Sequence, residues 1–548
     1  MGQSTTRSPS YRARAAQLAK ETAVLLRAGV LAPGTPGQIA GQLGQLRQYG
    51  PTLAGSYGAA ARRVPNRVAV QDETNSRTFA QLDARATAIA RGLGAHGIGP
   101  QDTLAILGRN SVAFVEALVA TSRVGADALL LSTFLSAPQT REVMLRERPK
   151  VIFVDMELLP LLEQAPEDVL VVTLRPHNGR RGFLSLDELA ASSGPNPDPG
   201  GRRGRLIVLT SGTTGTPKGA RRPAPTSLSP AASMLSRLRL HTSDTIMVSS
   251  PLFHTWALGV LQIAGALAAT VVLRQRADPE VVLAAVEEAG CTAVTAVPVI
   301  LERILQLPPG ARARYRTEKL RVVASSGSAL TKDVATRFQD VFGEVLYNVY
   351  GSTEISWAAI ATPEDLRAAA GTAGKAPLGT RLMVLDDNGN PVPQGETGRI
   401  FVGNDLLFEG YTGGTSREQW DGLMSTGDKG YLDHEGRLMV VGREDDLVIS
   451  GAEKIYPLEV EEVILSLPGV REVAVVGRPD EEMGQRLVAY VVCEDGIQLT
   501  AGQVQDHVRR RLARFAVPKE VGFLSRLPRT PTGKVVPRLL PNGAVPTQ

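Results

Sequence analysis

The stretch LTSGTTGTPKGA, Leu209–Ala220, gathers the residue types that hold a phosphate. Gly212, Gly215 and Gly219 let backbone amides turn inward without side-chain obstruction. Thr210, Ser211, Thr213, Thr214 and Thr216 add hydroxyl donors, and Lys218 adds a mobile positive charge. The pattern is not that of a P-loop, because Pro217 stands where the second glycine belongs and Gly219 where a Ser or Thr belongs. Alone, it is a phosphate-binding candidate or a solvated Gly/Thr turn. Further chemistry-bearing residues follow at long intervals: His254 in PLFHTWALG, Gly327 and Ser328 in SSGSAL, Asn348 to Glu354 in NVYGSTE, Asp428 in STGD. Arg443 and Asp445 open GREDDLVISGAEKIYPLEVEE, and Lys534 lies in RTPTGKVV.

In this order and at these distances, the set resembles the acyl-adenylate-forming superfamily, which includes acyl-CoA synthetases, peptide-synthetase adenylation domains and luciferases. The resemblance spans about residues 55–540, and PLFHTWALG leans toward its fatty acyl-CoA ligases. It implies two half-reactions. A carboxylate attacks the α-phosphate of ATP to give acyl-AMP and pyrophosphate, and the thiol of coenzyme A then takes the acyl group. The first step brings a carboxylate to a triphosphate, so it needs cations and hydrogen-bond donors around the transferring phosphorus.

Residue by residue, the resemblance assigns Thr210, Ser211, Gly212, Thr213, Gly215 and Lys218 to the β- and γ-phosphates. Mg²⁺ falls to Glu354 with Thr214. Tyr350 matches an aromatic that packs on adenine, while Gly327, Ser328, Asn348 and Gly351 match its surroundings. Asp428 matches the acceptor of both ribose hydroxyls, and Arg443 a second ribose and phosphate contact. Lys534 matches the lysine that meets both the acyl carboxylate and the α-phosphate during adenylation. Asp445 matches a hinge about which a small domain reorients, bringing Gly451 to line the pantetheine tunnel. His254 matches a wall that positions the acyl carboxylate, with general-base chemistry as the other reading. Trp256 and Leu258 would begin the acyl pocket, and Arg221 and Arg222 are candidates for the phosphates of coenzyme A.

The elements expected to carry these residues are α/β in character. Strand-like runs (TLAILG, VIFVD, VLVVTL, TAVTAV) alternate with helical periods, which predicts largely parallel sheets. Ser192–Arg205 is too rich in Pro and Gly for regular structure. From Arg381 the segments shorten, with a turn at Asp386–Asn390, and a tail beyond Gly442 alternates helix and strand. The expected division is a basic leader at 1–50 with helical periodicity, a large AMP-binding domain at 51–443 and a small mobile α+β domain at 444–548. A helix over Tyr11–Ala28 is expected to gather Leu18, Leu25 and Leu26 near one face, against the body of the protein or an anionic lipid surface.

The chain's 548 residues, 43% hydrophobic and 21% charged, exclude a disordered class. Residues 1–50 hold six basic residues (Arg7, Arg12, Arg14, Lys20, Arg27, Arg47) and one acid, Glu21, so the formal charge of +5 resides in that segment. No aromatic-interleaved basic patch argues for nucleic acid. Trp256–Leu273, broken by Gln262, reads as a buried helix running into a strand rather than a membrane span. Cys291 and Cys493 have no metal or disulfide spacing and are expected as buried thiols of a cytoplasmic protein. A medium- or long-chain fatty acyl-CoA synthetase using ATP, Mg²⁺ and coenzyme A is therefore expected. A carrier-loading acyl-AMP ligase and an aryl or short-chain acid ligase remain open, as does a homodimer.

Overall fold

The computed structural model describes residues 11–176, 183–210, 217–450, 453–480, 483–530 and 533–541. Thr103–Leu107, Val151–Val154 and Ala293–Ala296 are strands buried on both faces, which is why their sequences are continuous apolar runs rather than alternating ones. Among the described residues these strands belong to two eight-stranded sheets. In one, parallel neighbours run from Val68–Gln71 through Thr270–Leu273, Thr245–Val248, Ala293–Ala296 and Val322–Ser325 to Leu346–Tyr350, with an antiparallel strand at each edge.

Chain order places the elements the site needs. The leader forms α1 (Tyr11–Ala28) and α2 (Pro36–Tyr49), followed by α3 (Leu53–Arg63). Thr35 and Gln38 make a capping box at the start of α2. In the second large sheet, β1 (Leu206–Thr210) pairs antiparallel with β2 (Lys218–Arg222). Then come the short helix α4 (Ser229–Leu235), the apolar helix α5 (Thr255–Leu267) leading into the strand Thr270–Leu273, and α6 (Pro298–Gln306). Strand β3 (Leu346–Tyr350) closes the parallel run of the first sheet, and β4 (Gly410–Tyr411) pairs with β2 at the edge of the second. A five-stranded antiparallel sheet carries β5 (Leu423–Leu432) and β6 (Leu438–Arg443). The tail opens with Val448–Ser450 and α7 (Pro457–Leu465), and its five strands carry two clusters of their own, one around Val460 and Val504 and one around Val488. The architecture is α/β with mostly parallel large sheets, a β subdomain and a small α+β tail, as expected.

Two expectations need correction. Leu25 is buried, but Leu18 and Leu26 are 65% and 57% exposed, so the three leucines do not share a buried face. Residue 26 lies about 100° from residue 25 on a helix, whereas Leu18 shares the side of Leu25 but precedes residues 21–28, where most of the contact with the protein is made. Cys291 is fully buried but Cys493 is only partly so. No helix among the described residues is long and apolar enough to cross a membrane.

Candidate functional site

One cleft of about 1960 Å³ runs between the two large sheets, the β subdomain and the tail. Its floor begins at the end of β1. Thr210 stands opposite Lys218 across the β1–β2 ladder, so the glycine-rich loop spans a hairpin, not the strand-to-helix turn of a P-loop. Ser211, Gly212, Thr213, Thr214 and Gly215 lie outside the described residues, as does Gly451. The two ends of the hairpin loop are fixed. Thr210 Oγ1 donates to Lys218 O at 3.3 Å, Arg146 Nη2 donates to Pro217 O at 2.9 Å, and Gly219 N donates to Thr412 Oγ1 at 3.0 Å. Lys218 Nζ sits 5.8 Å from the centre of the Tyr411 ring, near enough for a cation–π attraction.

Tyr411 connects this hairpin to Glu354. Its hydroxyl donates to Glu354 Oε1 at 2.6 Å, while Ser352 Oγ donates to Oε2 at 2.8 Å. Arg417 Nη2 lies 4.0 Å from Oε1 of this buried carboxylate. Burial lowers the Arg222 pKa to about 10, against the pull of Glu354's charge, and Arg222 Nη2 donates to Ser356 Oγ at 2.7 Å. Arg222 is partly buried and lines the cleft, while Arg221 beside it is exposed. No group of three or more His, Cys, Asp or Glu among the described residues could hold a metal. Glu354 alone fits the way Mg²⁺ is held beside a nucleotide, by one carboxylate together with substrate phosphates.

Another part of the cleft is built where the end of β3 meets the middle of β5. Tyr350 ends β3, and its hydroxyl donates to Asp428 Oδ2 at 2.5 Å. Asp428 pairs in register with Arg443 on the neighbouring strand. Burial raises the Asp428 pKa, while Tyr350's hydrogen bond and the charges of Arg443, Arg417 and Lys534 pull it back. Tyr350 is pushed well above the ordinary phenol value by burial and by Asp428, so it stays a donor. Gly327 and Ser328 line the same wall. Asn348 lines it too, with its amide anchored on Thr372 O at 3.0 Å. Gly351 must be a glycine: a Cβ there would lie 2.2 Å from Ser356 O.

Lys534 reaches this cleft from the tail. Its loop is tied back by Thr530 N donating to Lys534 O at 2.7 Å and by Arg529 Nη1 donating to Gly533 O at 2.6 Å. Arg529 in turn pairs with Glu472 at 2.8 Å. Gly533, at φ +79°, presses on α6 so closely that a Cβ would lie 2.5 Å from Val299 Cγ1. Asp445, between β6 and the tail, is largely exposed, 3.6 Å from Arg443 Nη2.

On the opposite side, His254 begins α5 with its Nε2 shielded from solvent and without a hydrogen-bond partner. Burial lowers its pKa to about 4, so the ring is neutral near pH 7 and a weak base. Trp256, Gly259, Gln262, Ile263 and Ala266 continue the wall along one face of α5. Leu228, Ala231 and Met234 face them from α4.

The structure thus brings together Thr210, Lys218, His254, Gly327, Ser328, Asn348, Tyr350, Gly351, Glu354, Asp428, Arg443, Asp445 and Lys534. Sequence reasoning missed Tyr411 and Arg417. Tyr411 lies in a two-residue strand, too short for periodicity to mark, and Arg417 follows in GGTSR, which reads only as a turn.

With this geometry in place, comparison with known proteins is consistent along most of the chain. The AMP-binding enzyme family model matches residues 58–412, and the AMP-binding enzyme C-terminal domain matches 459–534. The chain is 34% identical to indoleacetate–CoA ligase of Aromatoleum aromaticum, over 86% of this chain and 94% of that protein. It is 30% identical to the long-chain-fatty-acid–CoA ligase FadD13 of Mycobacterium tuberculosis, over 86% and 94%. The crystal structure of o-succinylbenzoate CoA synthetase from Bacillus subtilis with its acyl-adenylate superimposes with a TM-score of 0.77 at 28% identity, covering 89% of this chain and 99% of that one. A nucleotide cleft lined from two domains and a match over most of both make the chain a member of the AMP-binding enzyme family.

Proposed function

We propose that the protein is an ATP-dependent acid–CoA ligase that activates an apolar carboxylic acid, a medium- or long-chain fatty acid, through an acyl-AMP. The observation that carries this reading is Lys534, which enters from the tail into a cleft holding Asp428 and Tyr350 at one end and the apolar α5 wall at the other. Lys534 would stabilise the approach of two anions, the acyl carboxylate and the α-phosphate, where water is partly excluded. Lys218 and the hairpin loop with Thr214 would hold the β- and γ-phosphates. Glu354 would hold Mg²⁺, which neutralises phosphate charge when bound. Asp428 and Arg443 would fix the ribose, and His254 would position the carboxylate as a neutral wall.

For the second half-reaction, the tail from residue 444 onward would turn about Asp445, withdraw Lys534 and bring Gly451 to the pantetheine path. The chain-length reading rests on α5, whose cleft-facing residues from Thr255 to Ala266 extend about 16 Å at 1.5 Å per residue. An aryl-alkyl acid is the second reading, favoured by Trp256 and Trp357 in the cleft and by the 34% identity to an indoleacetate–CoA ligase.

The test is CoA-dependent AMP release across straight-chain acids from two to eighteen carbons, with indole-3-acetate and coumarate included. An optimum among the longer chains, with thioester formed, is expected. A preference for the aryl acids would move the assignment to the second reading. Acyl-AMP without thioester would point to a carrier-protein acceptor.

A further inference from the structure

Glu21 is the single acid in the first fifty residues, surrounded in sequence by basic groups. On a solvated helix it would be expected to face a nearby Lys or Arg. Instead it turns into the protein. Its Oε2 accepts from Ser229 Oγ at 2.8 Å and its Oε1 accepts from Gln17 Nε2 at 2.8 Å.

Ser229 is the first residue of α4, a seven-residue helix whose N-cap, Leu228, supplies no side-chain hydrogen bond. So short a helix has little stability of its own, and its position must come from what it packs against. One side of α4 presents Leu228, Ala231 and Met234 to the cleft. The other side presents Ser229 and Ser233 to a polar layer behind the wall. Ser233 Oγ accepts from Trp357 Nε1 at 3.1 Å, and the same indole N–H lies 2.9 Å from Thr380 Oγ1. Trp357 itself lines the cleft. Asp405 belongs to the same layer, and its carboxyl is raised by burial and by Glu21's charge. Helix α1 packs on α4 from behind, with Leu25 and Ala28 buried. None of α1 falls within the matched family region, which begins at residue 58.

We propose that α1 is a brace for the acid-binding wall and that Glu21 is the positioning residue through which it sets acid affinity and selectivity. The proposal rests on the reading of the cleft as an acid site. Removing the carboxylate would let α4 shift, and with it Leu228, Ala231 and Met234, while the phosphate hairpin, Asp428 and Lys534 stay where they are.

The experiment compares Glu21→Ala, Glu21→Gln and Leu18→Ala in the full chain. Leu18, in the N-terminal half of α1, is 65% exposed and serves as the control. Two readouts are taken: steady-state KM for acid, ATP and CoA, and amide hydrogen exchange across residues 229–235. Glu21→Ala is expected to raise the acid KM by roughly 5- to 10-fold, the net size of one ordinary hydrogen bond transmitted through α4. It should also flatten the preference between long and short acids and speed exchange in α4, with the KM values for ATP and CoA unchanged. Glu21→Gln, which keeps an acceptor, should recover most of the acid KM, and Leu18→Ala should match the parent. Unchanged exchange in α4, or a parallel rise in all three KM values, would overturn the brace. If no acid in the panel is activated by the parent protein, the functional reading fails, and the exchange data still decide whether Glu21 holds α4.

Discussion

Tyr350 gives its hydroxyl hydrogen to Asp428 across 2.5 Å, joining the end of one sheet to the middle strand of another. The side chain assigned to adenine thereby fixes the carboxylate assigned to the ribose. Asp428 is buried enough that its pKa is raised, and Tyr350 is the foremost of the groups that restrain the rise.

The sign of the pH effect follows. Only the ionised Asp428 accepts from two hydroxyls, so kcat/KM for ATP should fall as pH drops through its raised pKa, at a higher pH than an ordinary aspartate at 3.8 would give. Tyr350→Phe removes a group that favours the charged form. It should move this acidic limb to higher pH and raise the KM for ATP about 5-fold. A limb that stays in place would show that another group governs it.

Lys534→Ala should slow acyl-AMP formation by about 10²–10³-fold, the usual scale for losing one electrostatic stabiliser of a transition state. Thioester formation from supplied acyl-AMP should be largely spared. Measuring the half-reactions separately decides the matter, and equal losses in both would refute the role.

Gly533 carries that lysine to the cleft by touching Val299 without a side chain. Gly533→Ala should cost adenylation about 10-fold, through strain at positive φ and a clash with Val299. Pairing it with Val299→Ala should return the part due to the clash. No recovery in the double variant would place the whole effect in the backbone.

Glu302 on α6 faces Glu472 and Arg529 of the tail, and burial with Glu472's charge raises its pKa from 4.5 to about 7. A carboxyl whose pKa is raised when the tail docks favours docking while protonated. That contribution is complete below about 4.5, declines as pH rises toward 7, and is absent above it. Glu302→Gln should therefore keep the tail docked at pH 8, raising the ratio of adenylation to thioester formation and flattening its dependence on pH. Stopped-flow measurement of both half-reactions at pH 6 and 8 provides the check.

Asp445→Pro should slow the overall rate while leaving acyl-AMP formation near that of the parent, because proline narrows φ at the proposed pivot. An undiminished overall rate would locate the pivot elsewhere.

Much of this was legible in the sequence because the motifs are local. YGSTE carries Tyr350, Gly351 and Glu354 within five residues, and a single turn after β3 presents them together. The buried strands announced themselves as apolar runs because parallel sheets cover both faces. What the sequence hid were relations between distant segments. Nothing near Tyr411 indicates that its hydroxyl meets Glu354 fifty-seven positions away, or that Gly533 rests on Val299. The leader misled for another reason: Leu26 points away from Leu25, and Leu18, on nearly the same side as Leu25, lies two turns earlier, before the part of α1 that the protein covers.

The cores are separate. Val460, Val488 and Val504 belong to the tail, and the large sheets enclose clusters of their own around Leu104, Val271 and Val323. Lys534 and the rest of the cleft are therefore anchored in different cores. If Lys534 acts as proposed, loss of the tail's core by heat or a protease would halt adenylation while the cores of the large sheets still stood. A preparation judged sound by ATP protection could already be inert, and its working life would be set by the smaller of its two parts.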